Sequence, residues 1–120
     1  MSCDSSMRIA ELNDQFRAAL GIPYLCGGIP GQSLMTRGIT ALNEATKIRI
    51  LNQVRSYAQF SKDNDPHAER DFGSFDDSEA GKIFWKIDYY ANGDCVSGSE
   101  DPANPQITFR ILTIMLAQEY

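Results

Sequence analysis

The chain has no long apolar run, few cysteines and a single histidine, and these absences exclude several kinds of protein. No stretch approaches the roughly 20 consecutive apolar residues that cross a bilayer, and the first residues lack the apolar core of a signal peptide. We therefore expect a cytoplasmic protein without membrane contacts. Cys3, Cys26 and Cys95 are odd in number and widely spaced, which predicts reduced thiols. No close Cys/His pair is present, which argues against a structural zinc site.

Basic residues are also scarce. Eleven Lys and Arg against sixteen Asp and Glu give a formal net charge of −5. Direct binding to nucleic acid, which usually needs a basic stripe, is therefore disfavoured. The imbalance is local. Segment 61–104 holds eleven acidic and four basic residues (4 − 11 = −7), and the rest of the chain holds five acidic and seven basic residues (7 − 5 = +2). A one-sided field of this kind steers encounters with basic partners.

Three segments have the apolar pattern of helices, within one domain that spans 1–120. The first covers about 6–20, and the second covers about 44–57 with Asn43 as its cap. The third covers about 105–118, where apolar side chains occur nearly all round the helix. The buried face of the second helix is expected to hold Ile48, Leu51, Val54 and Ala58, flanked by Ile50 and Tyr57.

Strands are expected between these helices. A short strand is predicted at 34–39, and a β-meander at 72–76, 82–90 and near 95–96, with Asn92-Gly93 as a hairpin turn. The alternation in the middle strand places on one face Ile83, Trp85, Ile87 and Tyr89. The sequence thus predicts an α+β fold in which three helices pack on a small antiparallel sheet. The Gly/Pro-rich segment 21–33 lacks the lysine and spacing of a phosphate-binding loop, so we expect turns there and no cofactor.

The densest polar motif places Asp63, Asp65, His67, Glu69 and Asp71 at alternating positions. In an extended chain all five would share one side, and His67 with the carboxylates could then bind Mn²⁺, Fe²⁺ or Zn²⁺ in a metal-assisted hydrolase or nuclease. Catalytic zinc sites usually take two or more histidines, and Asx side chains in a loop usually fold back on their own backbone. No nucleophile motif is present, so no catalytic residue is predicted.

A second carboxylate group contains Asp88, Glu100 and Asp101. Paired carboxylates can divide acid and base roles where burial separates their pKa values. However, Lys86 lies two residues from Asp88 on the same side of the predicted strand, which favours a surface ion pair. Glu100 and Asp101 precede the last predicted helix, whose dipole attracts negative charge at that end.

Several segments together resemble a bacterial family that is a domain of unknown function. They are RIAELNDQFR (8–17), DNDPHAERDFG (63–73), FWKIDYY (84–90), GSEDPANP (98–105) and RILTIMLAQEY (110–120). The resemblance covers nearly the full chain and implies neither an established activity nor known catalytic residues. It implies genes on plasmids and other mobile elements, near partition and antirestriction genes, and so raises an anti-defence role as a hypothesis.

The function we expect from these features is that of a small interaction protein. Its acidic sheet-and-loop face would imitate backbone phosphates and engage a basic protein surface, such as a nuclease or a nucleic-acid-binding groove. The carboxylates expected to contribute are Asp63, Asp65, Glu69, Asp71, Asp76, Asp77, Asp88, Glu100 and Asp101, with Phe84 and Tyr90 as apolar anchors. A third hypothesis is a structural subunit in which the apolar C-terminal helix packs against a second copy; the oligomeric state itself is left open.

Overall fold

A computed structural model describes residues 2–22, 25 and 27–120, with the side chains of residues 2–4 left out. The thiols of Cys3 and Cys26, and part of the predicted 21–33 turn, therefore lie outside the described residues. The helices are α1 (Ser2–Ala18), α2 (Arg37–Thr40) and α3 (Glu44–Arg55). The strands are β1 (Gly31–Met35), β2 (Phe72–Asp77), β3 (Gly81–Tyr90) and β4 (Phe109–Leu116). The α+β fold with three helices is confirmed.

The sheet is mixed, with the strand order β1-β4-β3-β2. β2, β3 and β4 are antiparallel, whereas β1 runs parallel to β4, so the meander is only partly matched. The predicted return strand near 95–96 is wrong. Residues 91–97 form a loop closed by a bridge between Tyr90 and Gly98, and its left-handed residue is Cys95 (φ 57°) rather than Asn92 or Gly93.

The predicted C-terminal helix at 105–118 is also wrong. Pro105–Ile107 makes a single 3₁₀ turn capped by the Asn104 side chain, and the chain then enters β4. β4 is an inner strand, and inner strands have near-continuous apolar sequences that periodicity alone does not separate from a buried helix. The β-branched residues of FRILTIML, which are Ile111, Thr113 and Ile114, favour a strand because they pack well on a pleated surface.

The first strand is displaced from its predicted position. Instead of covering 34–39, β1 starts at Gly31 and ends at Met35, and Arg37–Thr40 is helical. A Cβ atom at position 31 would overlap the carbonyl oxygen of Arg110 and the ring of Phe16. β1 can therefore approach β4 and α1 so closely only because this residue is glycine.

The core lies between the helices and one face of the sheet. Phe16 of α1 and Val54 of α3 pack there against Trp85 of β3. Asn43 caps α3 by accepting from the Thr46 N–H at 2.8 Å, as predicted. The buried face of α3 is rotated from the predicted one, however, because Ile48 is 56% exposed and Ala58 is exposed. The residues that do face the core are Thr46, Ile50, Val54 and Tyr57.

Candidate functional site

The sheet face opposite α1 and α3 is not covered by an α-helix in the described part of the chain. We call it the open face and define it by Phe84, Lys86, Asp88 and Tyr90 of β3 and Ile111, Thr113 and Met115 of β4. A shallow groove of about 740 Å³ crosses it towards β1. On one side the groove is bordered by Leu34, which is 47% exposed.

The C-terminal residues fold back onto this face. The Tyr120 ring lies 5.2 Å from that of Phe84 and 5.9 Å from that of Phe72. Glu119 fixes this turn by accepting from the backbone N–H groups of Gly38 and Leu116, at 2.8 and 3.0 Å. These bonds to the anionic form lower the pKa of Glu119, after the larger effect of the Thr36 hydroxyl. The predicted anchor Phe84 is therefore partly covered, whereas Tyr90 lines the groove.

On the open face Asp88 is neutralised. Its carboxylate pairs with Lys86 at 3.0 Å, as the sequence indicated. The hydrogen bond to Asp88 raises the pKa of Lys86. Glu100 and Asp101 lie in the loop that follows β3, where Asp101 accepts from the backbone N–H of Ala103 at 3.2 Å. No contact in the described chain joins these two carboxylates to Asp88, so the second carboxylate group does not assemble.

Most of the remaining predicted carboxylates lie along β2 and the loop that enters it. We call them the acidic margin, defined as Asp63, Asp65, Glu69, Asp71 and Asp76. β2 is an edge strand, so Asp76 lies at one edge of the sheet and Asp71 lies directly before that strand. From Asp71 to Asp76 the margin extends roughly 17 Å at the usual rise of a strand.

The loop portion of the margin is held in place by its own side chains. The Asp65 carboxylate accepts from the N–H groups of Glu69 and Arg70, at 3.2 and 3.1 Å. Ala68 and Arg70 take left-handed backbone angles (φ 57° and 56°) that turn the chain around this carboxylate. The expectation that Asx side chains fold back on the backbone is therefore confirmed for Asp65.

Glu69 connects this loop to a buried polar network. The Tyr89 hydroxyl donates to Glu69 at 3.1 Å, and Asn13 of α1 donates to the Glu69 carbonyl at 2.9 Å. Asn13 in turn accepts from the buried Arg110 at 2.7 Å. Burial raises the pKa of the Tyr89 hydroxyl and lowers the pKa of Arg110. The network holds the acidic loop against a rigid core.

Asp71 is a margin carboxylate of intermediate exposure. Its pKa is raised, first by partial burial and then by the negative charge of Glu69, with a smaller effect from Asp65. The charged form of Asp71 is thus disfavoured within the margin.

Asp77 does not belong to an exposed acidic surface, contrary to the prediction. Its side chain is fully buried and accepts from Arg49 at 2.7 and 3.0 Å. The N–H groups of Glu79 and Ala80 also donate to it. The bonds with Arg49 are the main reason that the pKa of Asp77 is lowered. Through these bonds Arg49 connects α3 to the β2–β3 hairpin.

The metal hypothesis finds no site among the described residues. His67 is exposed, and no group of three or more His, Cys, Asp or Glu side chains in the described chain is arranged to hold a metal ion. No helix among these residues is long and apolar enough to cross a membrane.

Sequence reasoning missed two features of these surfaces. Tyr120 and Leu34 border the open face, but each comes from a segment distant in sequence from β3. The edge position of β2 was also missed, because strand order depends on which segments pair. One signal was present: the β-branched residues Ile111, Thr113 and Ile114 favour a strand at this position, which is β4 beneath the groove.

Comparison with known families agrees with the resemblance of the motifs. Residues 35–119 match the family model described as "Protein of unknown function (DUF3768)". The match contains β2, β3, β4 and the whole acidic margin, while α1 and the segment RIAELNDQFR lie outside it. No curated protein and no solved structure matches the chain.

Proposed function

We propose that this chain, which belongs to the DUF3768 family, is a small protein-binding module that recognises a basic surface of another protein through its acidic margin. One observation carries this proposal. Segment 61–80, which contains the margin, holds seven acidic and two basic residues, a charge of 2 − 7 = −5. In the described chain, none of the five margin carboxylates has a cation within ion-pair distance.

Two arginines close to the margin are engaged with other groups. Arg70 pairs with Asp14 of α1 at 2.9 Å and lies over the ring of Phe60. Arg49 pairs with Asp77 and Glu79. Lys62, next to Asp63 in sequence, and Lys82, opposite Asp76 on β3, form no ion pair in the described chain. Like charges without counterions destabilise a compact fold, and a cationic partner relieves this repulsion. Such charge complementarity acts mainly on association rate and specificity, and it weakens as salt rises.

Binding assays at two ionic strengths test this proposal. The bait would be the wild type and a variant with Asp63→Asn and Asp76→Asn, both exposed and without bonds that hold the fold. A control with Glu44→Gln and Asp94→Asn changes the charge equally at exposed sites outside the predicted binding residues. We expect the wild type and the control to retain the partner at 50 mM salt, and the margin variant to lose it. Raising the salt to 500 mM should release the partner from both the wild type and the control. A partner retained equally by all three proteins would refute the proposal.

The narrower form of the proposal is a cytoplasmic anti-defence protein, encoded on a bacterial mobile element, whose carboxylates occupy a groove that otherwise holds DNA phosphates. Its support is the acidic margin together with the resemblance noted in the sequence. The test is competition: a duplex oligonucleotide should displace the chain from a captured nuclease or DNA-binding protein. Simultaneous binding of both would limit the chain to a general interaction role.

A structural homo-oligomer is the second candidate, and the open face is the observation that favours it. At its border Leu34 and Tyr120 are 47% and 71% exposed, whereas Ile111 and Met115 on its floor are already buried within one chain. Two copies could bury these faces against each other. Sedimentation equilibrium at micromolar concentration tests this candidate, because a monomeric mass at that concentration would exclude a stable dimer.

A further inference from the structure

The outer edge of β2 presents a row of unpaired backbone groups. The Ile87 N–H donates to the Asp71 carbonyl at 2.8 Å, and the register continues with Gly73 opposite Trp85. In an antiparallel pair, alternate residues point their peptide groups at the partner strand. The N–H and C=O groups of Phe72, Ser74 and Asp76 therefore point away from β3. No hydrogen bond reaches these groups from any part of the chain that the structure describes.

We propose that a basic, extended segment of a partner protein binds at this edge and adds a fifth strand to the sheet. The proposal rests on the proposed function, to which it gives a binding mode. Strand addition obtains affinity from backbone hydrogen bonds and specificity from the alternating side chains. The occupant is identified by charge, because β2 carries the exposed Asp76 and no basic residue, and the segment before it carries the rest of the margin.

The two sides of the β2 edge differ, so an added strand could place aliphatic side chains on one side and basic side chains on the other. On the helix side a groove of about 300 Å³ lies between the end of α3 and β2. Its lining consists of Gln53, Ser56, Tyr57, Ala58, Gln59 and Phe75. On the open-face side lies the exposed, unpaired carboxylate of Asp76. An added strand would therefore place aliphatic side chains in the groove and basic ones beside Asp76.

The same charges argue against a second copy of this chain as the occupant. Pairing β2 with β2 of another molecule would bring two acidic margins together, and charged edges of this kind commonly prevent self-association. β1 is the other edge strand, but a Cβ atom on Gly21 would lie 3.1 Å from the Ser33 nitrogen, so the turn after α1 already occupies part of that edge.

The test uses a synthetic heptapeptide of alternating lysine and valine with blocked ends, added to the full-length protein at low salt. Residue-resolved amide hydrogen exchange is the measurement. At about 90% saturation we expect exchange at Phe72, Ser74 and Asp76 to slow about ten-fold, because only the free fraction exchanges. Gly73 and Phe75, already bonded to β3, are expected to exchange slowly before the peptide is added, so new protection from fast exchange should appear only at Phe72, Ser74 and Asp76. This every-second-residue pattern is specific to strand addition.

Two controls separate backbone pairing from charge. A peptide of the same sequence with N-methyl groups on all of its amides keeps its charge but cannot donate backbone hydrogen bonds from either edge, and we expect it to bind about ten-fold more weakly. On the protein side, Ser74→Pro removes one outward N–H and leaves the bonds to β3 intact, whereas Ser74→Ala keeps that N–H. We expect weaker binding for the proline variant and unchanged binding for the alanine variant.

Three results would overturn the inference. These are protection without the alternating pattern, equal binding of the N-methylated peptide, and no binding at millimolar peptide. None of these results decides the proposed function, which is tested separately by comparing the Asp63→Asn/Asp76→Asn variant with its charge control. If that variant loses its partner while the alternating pattern is absent, the margin binds by charge alone.

Discussion

Substituting Gly73 by alanine tests how tightly β2 presses on the core. A Cβ atom at this position would lie 2.7 Å from Cε2 and 2.8 Å from Cζ2 of Trp85, and closer still to Nε1. Non-bonded carbon atoms prefer about 3.5–4.0 Å, so the indole ring would have to move by about 1 Å. The ring is fully buried, with Tyr57 at 5.5 Å, Phe60 at 6.1 Å and the Arg17 guanidinium 4.9 Å from it.

Two effects of opposite sign determine the result. Overpacking a close-packed core costs about 1–3 kcal/mol, and the complete burial of Trp85 favours the upper part of that range. Replacing glycine by alanine in a strand returns about 0.5–1 kcal/mol. We therefore expect Gly73→Ala to lower the free energy of unfolding by about 1–2 kcal/mol and Tm by roughly 5–10 °C.

Urea unfolding followed by circular dichroism measures this change. Gly93→Ala is the matched control, because its added Cβ meets only Phe109, at 3.9 Å, and Gly93 has no positive φ. The control should stay within about 0.5 kcal/mol of wild type. Trp85→Phe should partly relieve the clash in the Gly73→Ala background, with a coupling energy of about 1 kcal/mol. A Gly73→Ala variant as stable as wild type would refute the described packing of β2 on Trp85.

Three further predictions concern charge, capping and metal binding. Because Arg49 lowers the pKa of Asp77, the stability that Asp77 contributes is present above the ordinary aspartate value near 3.8 and is lost as pH falls below it. Asp77→Asn should thus lose less stability than wild type between pH 5 and pH 3 in urea unfolding. Asn43→Ala removes the cap of α3 and should lower the free energy of unfolding by about 1 kcal/mol in the same assay. Added Mn²⁺ or Zn²⁺ should leave Tm unchanged, whereas a shift that disappears in His67→Ala would restore the metal hypothesis.

Local patterns predicted part of this fold correctly. β3 alternates as expected, since Ile83, Trp85 and Ile87 are buried on one face. The Asn43 cap and the extent of α3 were also predictable, because a cap depends on residues three apart. Strand β4 was predicted as a helix instead, because FRILTIML is mostly apolar and such a run suits either a buried helix or an inner strand.

In the candidate site, too, local contacts could be predicted from the sequence and contacts between distant segments could not. The pairing of Lys86 with Asp88 was foreseen from their spacing on one strand. The pairing of Arg49 with Asp77 was not, because 28 residues separate them and only the packing of α3 on the sheet brings them together. Asp77 was therefore counted among the exposed acids although the fold buries it.

By itself the sequence determined the net charge, the concentration of carboxylates in 61–104, the α+β class and the alternation of β3, all of which depend on composition or on neighbours a few residues apart. Only the tertiary structure decided that β1 pairs in parallel with β4, that β2 is an edge strand, and which carboxylates stay without a cation. These features depend on contacts between distant segments, where the burial of apolar surface selects one pairing of strands among several that local propensity allows.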